Sequence, residues 1–170
     1  MLKVLELGSG CGIVGLAFAA LHENCHVLLT DLESAEKISR WNLVHSRSQL
    51  QGKATFELFD WECPVPPSTL PDIILIADCT YNSDSATSLV QAIQRCVTSR
   101  DTIIVLAHKT RHDSEAVFFR LMAEHFQTVD YSVFSTLPLA GNSMSSGIGA
   151  ESVDLYTFRS ILWDTTPTRV

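Results

Sequence analysis

The stretch Glu6-Leu7-Gly8-Ser9-Gly10-Cys11-Gly12 follows an apolar run and leads directly into the apolar segment Ile13–Leu21. Glycines at this density let the backbone approach a ligand at the N-terminus of a helix, because glycine has no Cβ. The stretch therefore predicts a strand, a tight turn and a helix, which is the opening unit of a parallel α/β sheet. The alternative is a glycine-rich turn that binds nothing.

The remaining chain repeats this alternation of apolar strand-length runs and amphipathic helix-length runs. Strands are predicted at residues 3–7, 25–30, 54–59, 72–77, 102–107, 128–134 and 153–160. Helices are predicted at 13–21, 34–46 with Ser34 as N-cap, 83–97 and 113–126, the last with Ala116, Phe119, Leu121 and Met122 inward. Four of the six prolines fall in 60–71, which is predicted to be a loop.

This order predicts an α/β fold with a Rossmann-like, doubly wound, mostly parallel seven-stranded sheet that ends in an antiparallel strand pair. The 170 residues predict a single domain, 1–170, with enough chain for one core. Ligands of such sheets bind at the carboxyl ends of the strands, near the point where the strand order reverses. The loops after the first five strands are therefore the expected site.

Charge and cysteine content limit the partners and the compartment. A net charge of −7 argues against a duplex-DNA binder, and the apolar run Ile13–Leu21 is too short to span a bilayer. Five widely spaced cysteines without a C-x-x-C pair favour a reducing cytosolic or nuclear compartment, with most thiols buried. His108 and His112 stand four residues apart, but no third ligand accompanies them, so no metal site is predicted.

Asp31 ends the second predicted strand, where its carboxylate can accept both hydroxyls of a ribose. A dinucleotide site would need a third glycine where Ile13 stands, if the pattern is counted from Gly8. Glu6 would also repel a pyrophosphate. The pattern therefore favours a cationic, phosphate-free nucleoside.

The motif from Glu6 to Gly12 followed by Asp31 resembles the first two motifs of class I, seven-strand methyltransferases that use S-adenosyl-L-methionine. The closing strand pair is similar to theirs. The resemblance implies this cofactor, and it implies contacts to it from Glu6, Gly8, Ser9, Gly10, Gly12 and Asp31.

Further segments resemble the family 16 protein-lysine methyltransferases, the methyltransferase-like 21 group. Asp60-Trp61 stands where that family places a Trp beside the adenine, although Trp61 could instead cap the sheet edge. Ala77 would touch the cofactor through its backbone. The segment from Asp78 to Tyr81 matches the D-x-x-Y signature after strand four. Asn42, the basic turn 108–112 and the paired Phe118-Phe119 are also similar.

The resemblance implies catalytic roles for Asp78 and Tyr81 at the substrate entrance. Asp78 would accept a hydrogen bond from the substrate lysine amine, and Tyr81 would form the pocket wall and hold the lone pair in line. The alternatives are an N-cap role for Asp78 and ordinary packing for Tyr81. The basic spot of Lys109 and Arg111 could attract an acidic substrate or be a solvated turn.

The leading function is therefore transfer of methyl to a lysine side chain of a protein substrate. The alternatives are a methyltransferase for a small amine or for RNA, and a binding protein without turnover. The resembling enzymes carry a segment before strand one that closes over the cofactor, whereas Met1 stands two residues before Lys3. We expect this lid to be missing and cofactor binding to be weakened. Either the chain is a truncated gene product or isoform, or the open site is covered by another chain or by a second copy in a homodimer.

Overall fold

The computed structural model describes residues 1–63, 65–80, 83–110, 115–136 and 151–161. Within them, seven strands alternate with helices as predicted. The strands are β1 (Leu2–Leu7), β2 (Cys25–Asp31), β3 (Lys53–Leu58), β4 (Ile73–Ala77), β5 (Ile103–His108), β6 (Phe126–Thr136) and β7 (Glu151–Ser160). The helices are α1 (Ile13–Leu21), α2 (Glu33–Ser46), α3 (Ser83–Cys96) and α4 (Ala116–His125), with a short 3-10 turn at Arg47–Gln49.

The strands form one sheet in the order β3-β2-β1-β4-β5-β7-β6. Strands β1 to β5 pair in parallel, and β7 runs antiparallel to both β5 and β6. The predicted fold class and the closing antiparallel pair are therefore confirmed. The strand order reverses between β1 and β4, so the loops that follow these two strands flank the expected ligand crevice.

Helices cover both faces of the sheet, and each face has its own core. On one face, Leu16 and Ala19 of α1 pack against Val27 and Leu29 of β2. The other face holds the larger core, built from β1, β4 and β5 against α3 and α4; it includes Leu89, Ile93, Phe118 and Met122. No helix in the described part of the chain is long and apolar enough to cross a membrane.

Two local predictions were wrong, the second of them only in part. Helix α2 begins at Glu33 with Leu32 at the N-cap, and no side chain caps it, so Ser34 is not the cap. Here Asp31 accepts the Leu32 N–H through Oδ1 at 2.7 Å, which turns the chain into the helix earlier than Ser34.

In α4 the buried face agrees with the prediction at Met122 and differs from it elsewhere. Phe118 and Met122, four residues apart, are buried, whereas Ala116 is exposed. Phe119 and Leu121 lie at the border of the core. The predicted helix 113–126 gives way to β6 already at Phe126, and its first two residues lie outside the described residues.

Candidate functional site

A cavity of about 380 Å³ opens at the carboxyl ends of β1 to β4. Each strand contributes residues that follow its last position, and α3 closes one side. The lining residues are Gly8, Gly10, Asp31, Leu32, Phe59, Asp60, Trp61, Glu62, Asp78, Cys79, Ser85 and Ser88. Four of them are acidic and none is Lys, Arg or His, so the described wall of this cavity favours a cationic ligand.

The glycine turn after β1 is held from two later segments. Asp31 Oδ2 accepts the Gly10 N–H at 2.7 Å. From α2, the Ser39 hydroxyl donates to the Gly10 carbonyl at 2.6 Å and the Asn42 amide donates to the Cys11 carbonyl at 2.7 Å. These bonds fix a turn in which Gly8, Gly10 and Gly12 have φ of 65°, 54° and 81°.

Gly8 allows Cys79 and Trp61 to lie close to the glycine turn. A Cβ at this position would lie 2.6 Å from Cys79 Sγ and 3.0 Å from Trp61 Cζ2. The strands β1 and β4 can therefore bring their following loops together beside Trp61 only because residue 8 has no side chain.

Four predicted cofactor contacts do not line the cavity: Glu6, Ser9, Gly12 and Ala77. Glu6 is 2% exposed, and its Oε2 accepts the Gly15 N–H at 2.9 Å. Burial, with a further contribution from Asp31, raises the pKa of Glu6 to about 7. Glu6 thus supports the first turn of α1 through its hydrogen bond to the Gly15 N–H. Direct cofactor contacts by Glu6, Ser9, Gly12 and Ala77 stay predictions.

Trp61 is half-buried and faces the cavity from the loop after β3. Its carbonyl accepts a short hydrogen bond from Arg95 Nη2 on α3. In the same loop, Asp60 Oδ1 accepts the Glu62 N–H at 2.9 Å. Sequence reasoning missed Arg95, because a single arginine near the end of a helix carries no signal for a partner 34 residues away.

Asp78 has the only positive φ among the described non-glycine residues, at 56°. Its backbone N–H donates to the Ala107 carbonyl at 3.2 Å, and the residue lines the cavity. Helix α3 begins at Ser83, five residues later, so the spacing excludes Asp78 as its N-cap. Tyr81, the other predicted catalytic residue, lies outside the described residues.

His108, at the end of β5, is buried and contacts Thr80 and Glu115. The described residues contain no group of three side chains that could hold a metal ion. Lys109 is half-buried beside His108, while Arg111, His112 and the glycine- and serine-rich segment 141–149 lie outside the described residues.

Comparison with known proteins identifies the family. A family model described as lysine methyltransferase matches residues 1–125. This chain belongs to that lysine methyltransferase family. A UPF0665 family protein of Schizosaccharomyces pombe is 33% identical to it over 119 residues, which are 69% of this chain and 36% of that protein.

Two other relatives are named for their activity. Protein-lysine N-methyltransferase EFM6 of Saccharomyces cerevisiae is 28% identical, with 78% of this chain and 60% of that protein covered. Protein N-lysine methyltransferase METTL21A of Danio rerio is 30% identical, with 76% and 60% covered. The chain thus spans about one third to three fifths of these relatives' lengths. The missing lid and its expected consequences stay predictions.

Solved structures support the fold of this family member. A SAM-dependent methyltransferase of Methanosarcina mazei aligns with a TM-score of 0.67 at 13% identity, covering 92% of this chain and 91% of that one. The O-methyltransferase NcsB1, solved with S-adenosylmethionine, aligns with a TM-score of 0.66 at 12% identity, covering 94% and 49%. At these identities the likeness concerns the fold, which is that of SAM-dependent methyltransferases.

Proposed function

We propose that this chain binds S-adenosyl-L-methionine and transfers its methyl group to a lysine side chain of a protein substrate. One observation supports this most strongly: in a member of the lysine methyltransferase family, Asp31 joins the glycine turn at the mouth of an acidic cavity. Both the sulfonium cofactor and a lysine ammonium are cations, and the four lining carboxylates favour both.

The residues of the cavity fit this cofactor. Each oxygen of Asp31 accepts one backbone N–H, and a carboxylate oxygen can accept two bonds, so both can also receive ribose hydroxyls. Trp61 and Phe59 offer an apolar wall for an aromatic base. A pyrophosphate would meet Asp60 and Glu62 with no cation among the described lining residues.

When bound, the cofactor supplies an electrophilic methyl group. A lysine has a free pKa of ~10.4, so its ammonium must lose a proton before the amine can attack. The Asp78 carboxylate would accept a hydrogen bond from the amine and orient it, and Tyr81 would form the wall that keeps its lone pair in line. Walls that exclude water lower the pKa of the ammonium by desolvation.

The test is transfer of tritiated methyl from labelled cofactor to a cell lysate, resolved into protein, RNA and small-molecule fractions. A labelled protein band that yields methyl-lysine on hydrolysis is expected. Label only in RNA or small molecules would overturn the protein substrate. Binding of the cofactor without transfer of any label would overturn the proposed enzymatic activity.

Asp78→Ala and Tyr81→Phe test the two catalytic roles, with cofactor affinity measured separately by calorimetry. Each variant is expected to transfer methyl about 10- to 100-fold more slowly than the wild type at saturating cofactor. Asp101→Ala removes an exposed carboxylate at the opposite, amino end of the sheet and serves as the control. Wild-type rates in both test variants would contradict the assignment.

We also propose a cytosolic or nuclear location. All five cysteines are free, and Cys25, Cys79 and Cys96 are buried, which suits a reducing compartment. Imaging of the tagged protein in cells of its source organism would check this, and fluorescence in the secretory pathway would contradict it.

A further inference from the structure

His108 joins three segments of the chain that are distant in sequence. It is the last residue of β5 and is 3% exposed. Its Nδ1 lies 2.7 Å from Thr80 Oγ1, in the loop after β4. Its Nε2 lies 3.1 Å from Glu115 Oε2, immediately before α4, and 3.3 Å from Thr110 Oγ1. Thr80 and Glu115 are equally buried, at 5% and 3% exposed.

The buried hydrogen-bond network of His108, Thr80 and Glu115 tolerates few substitutions. Removing one partner leaves another donor or acceptor without its hydrogen bond, which costs about 1–3 kcal/mol. If the Glu115 carboxylate accepts the Nε2–H, Nδ1 is left to accept the Thr80 hydroxyl proton. Phe119 packs edge-on against the imidazole with 5.1 Å between ring centroids, which fixes the ring plane.

The segment anchored by His108 contains the strained residue of the site. Asp78 adopts the left-handed conformation, two residues before Thr80. A non-glycine residue there costs roughly 1–2 kcal/mol and persists where the surroundings hold it. Strand β5 holds this loop at two adjacent positions, through the Ala107 carbonyl on the Asp78 N–H and through His108 on Thr80.

We propose that His108 is a positioning residue: through Thr80, with Glu115 behind the ring, it holds the Asp78 carboxylate at the cavity and thereby sets the rate of methyl transfer. Neither His108 nor Thr80 lines the cavity, so the effect is exerted through the loop. The kinetic part of this proposal rests on the proposed function, whereas the anchoring of Asp78 does not.

Thr80→Val and Thr80→Ser form the matched pair for the test. Valine keeps the shape of threonine and removes the hydroxyl, while serine keeps the hydroxyl and removes the methyl group. We expect kcat to fall about 10- to 100-fold in Thr80→Val and to stay within about threefold in Thr80→Ser. Cofactor affinity is measured separately by calorimetry and kcat is compared at saturating cofactor, because Cys79, between Asp78 and Thr80, packs against Gly8 of the glycine turn.

A purely structural role would lower the melting temperature of Thr80→Val and leave kcat unchanged; that result would overturn the proposal. A second variant, His108→Phe, should slow transfer like Thr80→Val. The Thr80 pair carries the test if this larger change prevents folding.

Amide hydrogen exchange separates the anchoring from the activity, because it needs no turnover. The Asp78 N–H should exchange at least about tenfold faster in Thr80→Val than in the wild type, and Thr80→Ser should match the wild type. Unchanged exchange in Thr80→Val would overturn the anchoring whatever the activity. A wild type that transfers no methyl while Thr80→Val exchanges faster would refute the proposed function and leave the anchoring supported.

Discussion

The carboxylate of Asp31 accepts a hydrogen bond from the backbone N–H of Gly10, with 2.7 Å between the two atoms. The residues are 21 positions apart, one at the end of β2 and the other in the turn after β1. The same carboxylate lines the cavity. It therefore braces the turn and faces the ligand at once, so a change at Asp31 alters both.

Replacing Asp31 by Ala should weaken S-adenosyl-L-methionine binding by about 10- to 100-fold, since hydrogen bonds to a charged group are worth about 1.5–3 kcal/mol. Asp31→Asn keeps one carbonyl acceptor and should lose less cofactor affinity than Asp31→Ala. Calorimetric titration checks both, with Glu23→Ala as the control for an exposed carboxylate far from the cavity. Wild-type affinity in Asp31→Ala would place the cofactor elsewhere.

Gly8→Ala should destabilise the fold more than Gly10→Ala. Both glycines have positive φ, which costs alanine ~1–2 kcal/mol. Only at Gly8 would the new Cβ also meet neighbours, with Cys79 Sγ at 2.6 Å, whereas nothing lies within 4 Å at Gly10. Overpacking adds about 1–3 kcal/mol.

Urea denaturation of the two single variants measures this difference. The double variant Gly8→Ala/Cys79→Ala should recover part of the loss, because it removes Sγ from the contact. Equal losses at Gly8 and Gly10 would show that the close approach is absent in solution.

Stability should fall with rising pH because of Glu6. Its pKa is about 7 in the folded chain against 4.5 unperturbed, with burial as the main cause. The unfolded chain therefore releases this proton at a lower pH than the folded chain does. The stabilisation that protonated Glu6 gives the folded state is fully present below pH 4.5 and is lost as the pH rises through 7. Relative to Glu6→Gln, which does not titrate, the wild type should lose roughly 2–3 kcal/mol between pH 5 and pH 8.

Denaturation of the wild type and Glu6→Gln across this range isolates Glu6, because the remaining groups titrate alike in both. Glu6→Gln retains an oxygen that can accept the Gly15 N–H. A pH-independent difference between the two proteins would contradict the raised pKa.

Arg95→Met should loosen the loop that carries Trp61, because the guanidinium donates to the Trp61 carbonyl. Loss of one such bond is worth about 1 kcal/mol, so cofactor affinity should fall about three- to tenfold. Arg100→Met, on the exposed turn before β5, is the matched control. Equal affinities in the two variants would mean that Arg95 does not hold this loop in the bound state.

Local sequence patterns were enough to predict the sheet and most of its elements. Apolar runs such as 72–77 read as buried parallel strands, and the observed β4 differs by one residue at its start. The face of α4 could not be predicted, because its sequence is apolar on several sides. Packing of Phe118 and Met122 against the sheet decides which side is buried.

The candidate site also combines features that the sequence determined with features that only the tertiary structure decided. The sequence by itself determined the glycine turn, the acid after the second strand and the family, because these depend on residue types at short spacing. Only the tertiary structure decided that Glu6 supports α1 instead of lining the cavity, that Arg95 holds Trp61, and that His108 anchors the loop of Asp78. These contacts join residues between 7 and 34 positions apart through side-chain direction and sheet register, which a linear pattern does not encode.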